Sequence, residues 1–169
     1  MHLERLNGLR YEHQKEALTN CCGSSQWVNE MLKAFPFGSE NELLKKGEEV
    51  WIQQCNEKDW LEAFTHHPKI GDMKNLEEKF ASTKAWASSE QASVREADKE
   101  VIAALAKGNE EYEKKFGFIF IVCATGKSAD EMLQLLNERL PNDYEKELKI
   151  GMQEQAKITQ LRLQKLLLS

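Results

Sequence analysis

Three groups of residues have the types and spacing to do chemistry. They are Thr65-His66-His67-Pro68-Lys69-Ile70-Gly71-Asp72, then Trp86-Ala87-Ser88-Ser89-Glu90-Gln91, and Arg162 in a leucine-rich stretch. Adjacent His66 and His67 make a poor chelate, because neighbouring helical side chains diverge by about 100°. A zinc site favours an i, i+4 pair with a further Cys or carboxylate, as in H-E-x-x-H. The chain has no such spacing, so no metal site is expected. Pro68 pushes His67 out of the helical region, which places it at a helix end with an extended backbone. An imidazole held by rigid backbone and titrating near neutrality suits acid–base work. A plain helix-end histidine is the alternative.

The second group has two readings. Ser88 with Gln91 three residues on matches a capping box, and Glu90 in the first turn complements the helix dipole. The same helix start would also present amide donors, a carboxylate and a carboxamide, a grip for a polar, hydrogen-bonding ring. Arg162 interrupts an apolar row formed by Ile158 and Leu166, with Leu161 beside it. Such an arginine can snorkel or pair at the surface. In a pocket, its planar guanidinium would clamp a substrate carboxylate with two parallel hydrogen bonds.

These groups need a scaffold, and the composition says which kind. The chain has 169 residues, 23 basic and 28 acidic side chains and a net charge of −5, with 41% apolar and 30% charged residues. That length suits one domain, residues 1–169, with a core of its own. The longest apolar run, Phe118 to Ala124, is far shorter than the roughly 20 residues of a membrane span. The mild acidity and the lack of a basic stripe argue against nucleic-acid binding. The start lacks the plan of a secretory signal, and the end is not an S-K-L address, so a cytoplasmic location is expected. Cys21, Cys22, Cys55 and Cys123 include no C-x-x-C pair, and they read as small buried thiols in a reducing compartment.

Leucine outnumbers valine and isoleucine, and there are only nine glycines and three prolines, a balance that favours helix. The expected helices are Tyr11 to Cys21, Gln26 to Ala34, Glu40 to Gln54 capped by Ser39, and Trp60 to His66 capped by Asp59. Residues 68 to 75 then read as a loop that can run into a weak helix ending near Phe80. A long one begins at Ser88, carries Val94, Ala97, Val101, Leu105, Tyr112 and Phe116 on one stripe, and stops at Gly117. Ser128 caps a helix to about Leu140, and Tyr144 to Leu167 closes the chain. Phe118 to Cys123 has no strand to pair with and reads as a buried extended segment or a helix overridden by packing. The sum is an all-α bundle of seven or eight helices. The terminal leucines, Leu161, Leu163, Leu166, Leu167 and Leu168, exceed what one face can bury, which points to a symmetric homodimer.

Several stretches recur in the order of a known family: Cys21-Cys22-Gly23-Ser24 with Trp27-Val28, His67-Pro68-Lys69-Ile70-Gly71, Trp86, and Glu90-Gln91. They continue through Asn109, Tyr112-Glu113, Phe116-Gly117-Phe118-Ile119-Phe120 and Arg139-Leu140 to Glu154, Ile158 and Arg162-Leu163. Over essentially its whole length the chain resembles the 2-oxo-4-hydroxy-4-carboxy-5-ureidoimidazoline (OHCU) decarboxylase family, which carries out the last step of urate breakdown to (S)-allantoin. One position departs: where the family has Ser three residues before Glu90, this chain has Ala87, and Ser88 is the nearest hydroxyl.

The resemblance implies roles residue by residue. His67 matches the catalytic histidine, with Glu90 placed to orient it and raise its pKa, and Pro68 contacts substrate. Glu90 and Gln91, with Ser88 as the hydroxyl, hold the imidazoline and ureido groups, and Arg162 engages the anionic or carbonyl groups. Phe118, Phe120, Ile121 and Val122 form a pocket wall. The resemblance further implies an all-α fold, a homodimer, a small purine-derived substrate, and neither metal nor organic cofactor. The substrate carries its own electron sink, a C=N bond beside the carbon that loses carbon dioxide. A helical interaction module would explain the amphipathic helices equally well, but not His67-Pro68, Glu90-Gln91 and Arg162 in family order. A metal hydrolase ranks third.

Overall fold

Several helices begin at capping side chains in the computed structural model, which describes residues 1–67 and 91–169, with backbone alone for 91–98. Helices α1 (Leu3–Asn7) and α2 (Tyr11–Cys21) come first. Ser24 accepts from the Trp27 N–H at 3.2 Å to start α3 (Ser25–Lys33), and Ser39 accepts from Glu42 at 3.1 Å to start α4 (Glu40–Glu49). Helix α5 (Glu57–Thr65) starts earlier than the sequence suggests. Asn56, not Asp59, is its cap: Asn56 accepts from the Lys58 N–H at 3.0 Å, while the Asp59 carboxylate reaches back to the Asn56 N–H at 2.9 Å. This reciprocal pair satisfies donors that would otherwise be orphaned at the helix start.

Helix α6 (Gln91–Phe116) ends at Gly117, whose φ of +77° is open to glycine at no steric cost. Residues 118–124 then run as a connector with neither helix nor strand, the first of the two readings offered for them. Ser128 caps α7 (Ala129–Arg139), accepting from Glu131 at 3.2 Å, and α8 (Tyr144–Leu168) follows. The described residues thus form eight α-helices and no strand, and the fold is all-α. The weak helix expected near Phe80 lies outside them.

The chain divides into two compact units. The first comprises residues 1–67 and 148–169, and its core is built round Trp27, Trp51, Leu43 and Leu163. Helix α4 does not continue as α-helix to Gln54. Residues Val50–Gln54 form a π-helical turn, closed by the Cys55 N–H on the Val50 carbonyl at 3.1 Å. Trp51 in that turn donates its indole N–H to the Met152 carbonyl at 2.9 Å, and Trp60 donates to the Trp51 carbonyl at 3.3 Å. Trp27 donates to the Gly47 carbonyl at 2.8 Å. A Cβ on Gly47 would stand 3.2 Å from a Leu163 methyl, so the bare backbone admits α8 closely here. The terminal leucines are mostly used within the chain. Leu163 and Leu167 are buried, Leu161 and Leu166 half-buried, and only Leu168, at 88% exposure, stands out, so the apolar surplus argued from the sequence is not present.

The second unit comprises residues 68–147, and a buried ionic network holds its described part. Arg139 Nε donates to Glu147 Oε1 at 2.5 Å, with side chains only 8% and 0% exposed. The Tyr112 hydroxyl donates to the same oxygen at 2.6 Å, and Asn142 to the other at 2.9 Å. Arg139 Nη1 also donates to the Ile121 carbonyl at 2.6 Å, which ties the connector to α7. Tyr112 is pushed well above the usual phenol range, first by burial and then by its bond to the carboxylate. Removing one partner of such a pair leaves a buried charge uncompensated. Glu147→Ala is therefore expected to cost about 3–5 kcal/mol in urea unfolding. Removing the exposed Glu110 that pairs with Lys114 should cost less than about 1 kcal/mol. Equal effects of the two changes would contradict the structural role given to Glu147.

Candidate active site

Of the residues singled out in the sequence, the structure couples two within the first unit, His67 and Arg162. Helix α5 ends at His66, whose N–H bonds the Ala63 carbonyl at 3.1 Å, and the His67 N–H bonds the Phe64 carbonyl at 3.2 Å. Gly23, in the turn between α2 and α3, packs on the His66 ring. A Cβ there would fall 2.2 Å from His66 Cγ and 2.5 Å from its Cβ, so the α5 end can lie here only against a glycine.

Helix α8 supplies the opposing face. Gln155, fully buried, presents Oε1 to His67 Nε2 in a short hydrogen bond, and its Nε2 donates to Thr159 Oγ1 at 3.1 Å. Thr159 is also buried. Arg162 is half-buried one turn further on, close enough for its charge to act on His67, Cys21 and Cys22. Among the described residues no carboxylate forms an ion pair with it.

His67 is held below its ordinary pKa of 6.5, chiefly by burial. The bond to Gln155 opposes that shift, while the positive field of Arg162 and the neighbouring His66 add to it. The raised pKa expected from the sequence is therefore corrected: in this surrounding the neutral imidazole is favoured. Burial pushes the Cys21 and Cys22 thiols up to about 11 and Cys55 to about 12, so none of the three is a thiolate nucleophile near neutral pH.

A cavity of about 620 Å³ opens beside this cluster, lined by Arg162, His66, Cys21, Asn20 and Lys165 among others. Its volume suits a small polar molecule. His67 is not in its wall: that ring turns toward Gln155, while His66 faces the cavity.

The other sequence candidates are placed elsewhere or fall outside the described residues. Pro68, Ser88 and Glu90 lie outside them, as does Ala87, and Gln91 is described only as the first residue of α6. Phe118, Phe120, Ile121 and Val122 belong to the connector of the second unit. Phe118 and Ile121 are buried, and Phe120 and Val122 half-buried. Phe118 and Phe120 pack edge-on against Tyr112 at 5.9 and 5.3 Å, and the Arg139 guanidinium sits 4.6 Å from the Phe120 ring centre. Sequence reasoning missed Gln155 and Thr159. Their signal is a polar stripe, Gln155, Thr159 and Arg162 at i, i+4 and i+7, along one face of the helix.

The OHCU decarboxylase family model matches residues 7–164. The chain belongs to this family. It is 39% identical over 146 residues to the uric acid degradation bifunctional protein TTL of Arabidopsis thaliana, covering 86% of this chain and 45% of that protein. A uric acid degradation bifunctional protein of Bacillus sp. (strain TB-90) is 27% identical over 169 residues, 98% of this chain and 32% of its own. The chain thus spans less than half the length of these two relatives. Among solved structures, an OHCU decarboxylase crystallised in the presence of (S)-allantoin matches with a TM-score of 0.72 and 38% identity, over 89% of this chain and 96% of that one.

Among the described residues of this family member, no cluster of three His, Cys, Asp or Glu side chains is arranged to hold a metal. No described helix is long and apolar enough to cross a membrane.

The lowered pKa of His67 has a consequence for stability. Between its folded value and the unfolded value near 6.5, the unfolded chain binds more protons than the folded one. The stabilisation is present above that unfolded value and lost as pH falls through the folded one. Unfolding free energy measured from about pH 5 to pH 7 should therefore rise more steeply for wild type than for His67→Asn. Parallel curves would contradict the burial of a neutral His67.

Proposed function

We propose that residues 1–169 act as one OHCU decarboxylase domain, converting OHCU to (S)-allantoin and carbon dioxide. The observation that carries this reading is the 38% identity, across 96% of its length, to an OHCU decarboxylase crystallised with (S)-allantoin. The names of the curated relatives, which place them in uric acid degradation, point the same way.

The chemistry follows from the substrate. Its carboxylate sits on a carbon that also bears a hydroxyl and adjoins a C=N bond. When the C–CO2 bond breaks, its electron pair forms a C=C bond and displaces the imine pair onto nitrogen, which takes a proton from solvent. The resulting enol loses its hydroxyl proton, and the adjacent carbon gains one on a single face. The enzyme has to orient the carboxylate across the π system and control that last proton. We assign the proton transfer to His67. Its environment favours the neutral ring, which begins as a base, takes the hydroxyl proton and returns one to carbon.

Arg162 clamps the departing carboxylate, a role supported by its lack of an ion-pair partner among the described residues. In line with the family resemblance, Glu90, Gln91, Ser88 and Pro68 hold the ring and ureido group, and Phe118, Phe120, Ile121 and Val122 wall the pocket. No step requires a metal or organic cofactor, because the imine accepts the electrons. The compartment we favour is the cytosol, where its four unbridged cysteines stay reduced.

His67→Asn keeps hydrogen bonding but cannot transfer a proton near neutral pH. It should lose on the order of 10²–10⁴-fold in kcat above the spontaneous background. Arg162→Lys keeps the charge without the planar fork, and should raise KM as well as lower kcat. A near wild-type rate for His67→Asn would show that His67 is a structural helix end. We also infer a symmetric homodimer, in line with the family resemblance. Light scattering should give about twice the 19.5 kDa chain mass, and the single-chain mass at micromolar concentration would overturn it.

A further inference from the structure

We infer that Gln155 is a positioning residue that holds His67 with its proton on Nε2 and so leaves Nδ1 as the atom that exchanges protons with substrate. This rests on the assignment of His67 as the proton-transfer group.

Behind His67 lies a buried chain of hydrogen bonds through Gln155 to Thr159. A threonine hydroxyl oxygen can accept, and Gln155 donates Nε2–H to that of Thr159 at 3.1 Å. The orientation of an amide is fixed by its neighbours, and with the NH2 spent on Thr159 the oxygen Oε1 is what faces His67. A carbonyl oxygen can only accept, so His67 Nε2 carries the hydrogen.

Because Gln155 and Thr159 are buried, no bulk water substitutes for either partner, and an unmade bond there costs more than one made is worth. The same orientation serves both protonation states. Nε2 is a donor in this neutral tautomer and in the imidazolium alike, so Gln155 need not move during a cycle. Nδ1 makes no hydrogen bond among the described residues. The neutral ring therefore takes a proton at Nδ1 and gives one back from Nδ1. Among the described residues, the charged or titratable groups acting on His67 are Arg162 on α8 and His66 on α5. Both disfavour the imidazolium, and the bond to Gln155 opposes them.

The test uses the full chain with 15N-labelled histidine, reading the His67 tautomer by long-range 1H–15N NMR near neutral pH, beside steady-state decarboxylation. Wild type should show the Nε2–H form. Gln155→Leu removes the acceptor and should release the tautomer, lowering kcat by about tenfold or more with little change in KM. Gln155→Glu keeps an acceptor oxygen and adds a negative charge. It should retain the Nε2–H form, recover most of the rate, and move the acidic limb of the pH–rate profile upward.

Should Gln155→Leu fail to fold, Thr159→Val, which removes the group orienting Gln155, should loosen the tautomer in the same direction. An Nδ1–H tautomer in wild type, or an unchanged tautomer in both Gln155→Leu and Thr159→Val, would overturn the inference. A tautomer released by Gln155→Leu with an unchanged rate would support the hold of Gln155 on His67 and overturn the assignment of His67 to proton transfer.

Discussion

A buried indole N–H must find an acceptor, and in the first unit that requirement sets the position of α8. Trp51 spends its N–H on the Met152 carbonyl, and the π-helical turn at Val50–Gln54 is what brings the ring there. Met152 lies one turn before Gln155 on the same helical face, so fixing its carbonyl fixes the phase of α8. With that phase, Gln155, Thr159 and Arg162 turn together toward the α5 end and the α2–α3 turn. Leu163 meets the bare backbone of Gly47 on the adjoining stripe. From the other side, Gly23 lets the α2–α3 turn press against His66 and so locates His67. One polar constraint and one missing side chain thus set the geometry of the candidate site in the first unit.

What the sequence disclosed, and what it hid, follows the range of the interactions. Caps at Ser24, Ser39 and Ser128 are local, three-residue events, and those helix starts were legible to within a residue. Asp59 reads as a cap because it does take part in one, as the carboxylate that answers Asn56. The π turn was invisible because its stabilisation comes from Trp51 and a residue about a hundred positions away. Helix α1 is too short for a periodic pattern to show. The Arg139–Glu147 pair carried no sequence signal as a pair. Eight residues apart across a turn, either side chain reads as surface charge until its burial is seen.

At the candidate site the balance is similar. His67 and Arg162 were legible because a proline fixes one and an apolar row isolates the other. Gln155 was not, since a glutamine on a long helix is ordinarily solvated. Only its burial, together with the histidine at its oxygen, gives it a role. The direction of the His67 shift was also beyond the sequence, because burial and the field of Arg162 are properties of packing. The outcome suits a group that must first accept a proton: a ring kept neutral by its burial and by the field of a guanidinium. The buried thiols of Cys21 and Cys22 stay protonated and do not neutralise that charge.

The central claim is that this site delivers a proton to one face of a carbon made nucleophilic by loss of carbon dioxide. The chirality of the product tests it most directly, because OHCU decays without help to racemic allantoin. Freshly generated OHCU should be mixed with the purified protein and the allantoin signal followed by circular dichroism through to completion. The account predicts an excess of the S enantiomer that forms faster than the spontaneous decay. Racemic allantoin appearing at the background rate would contradict it.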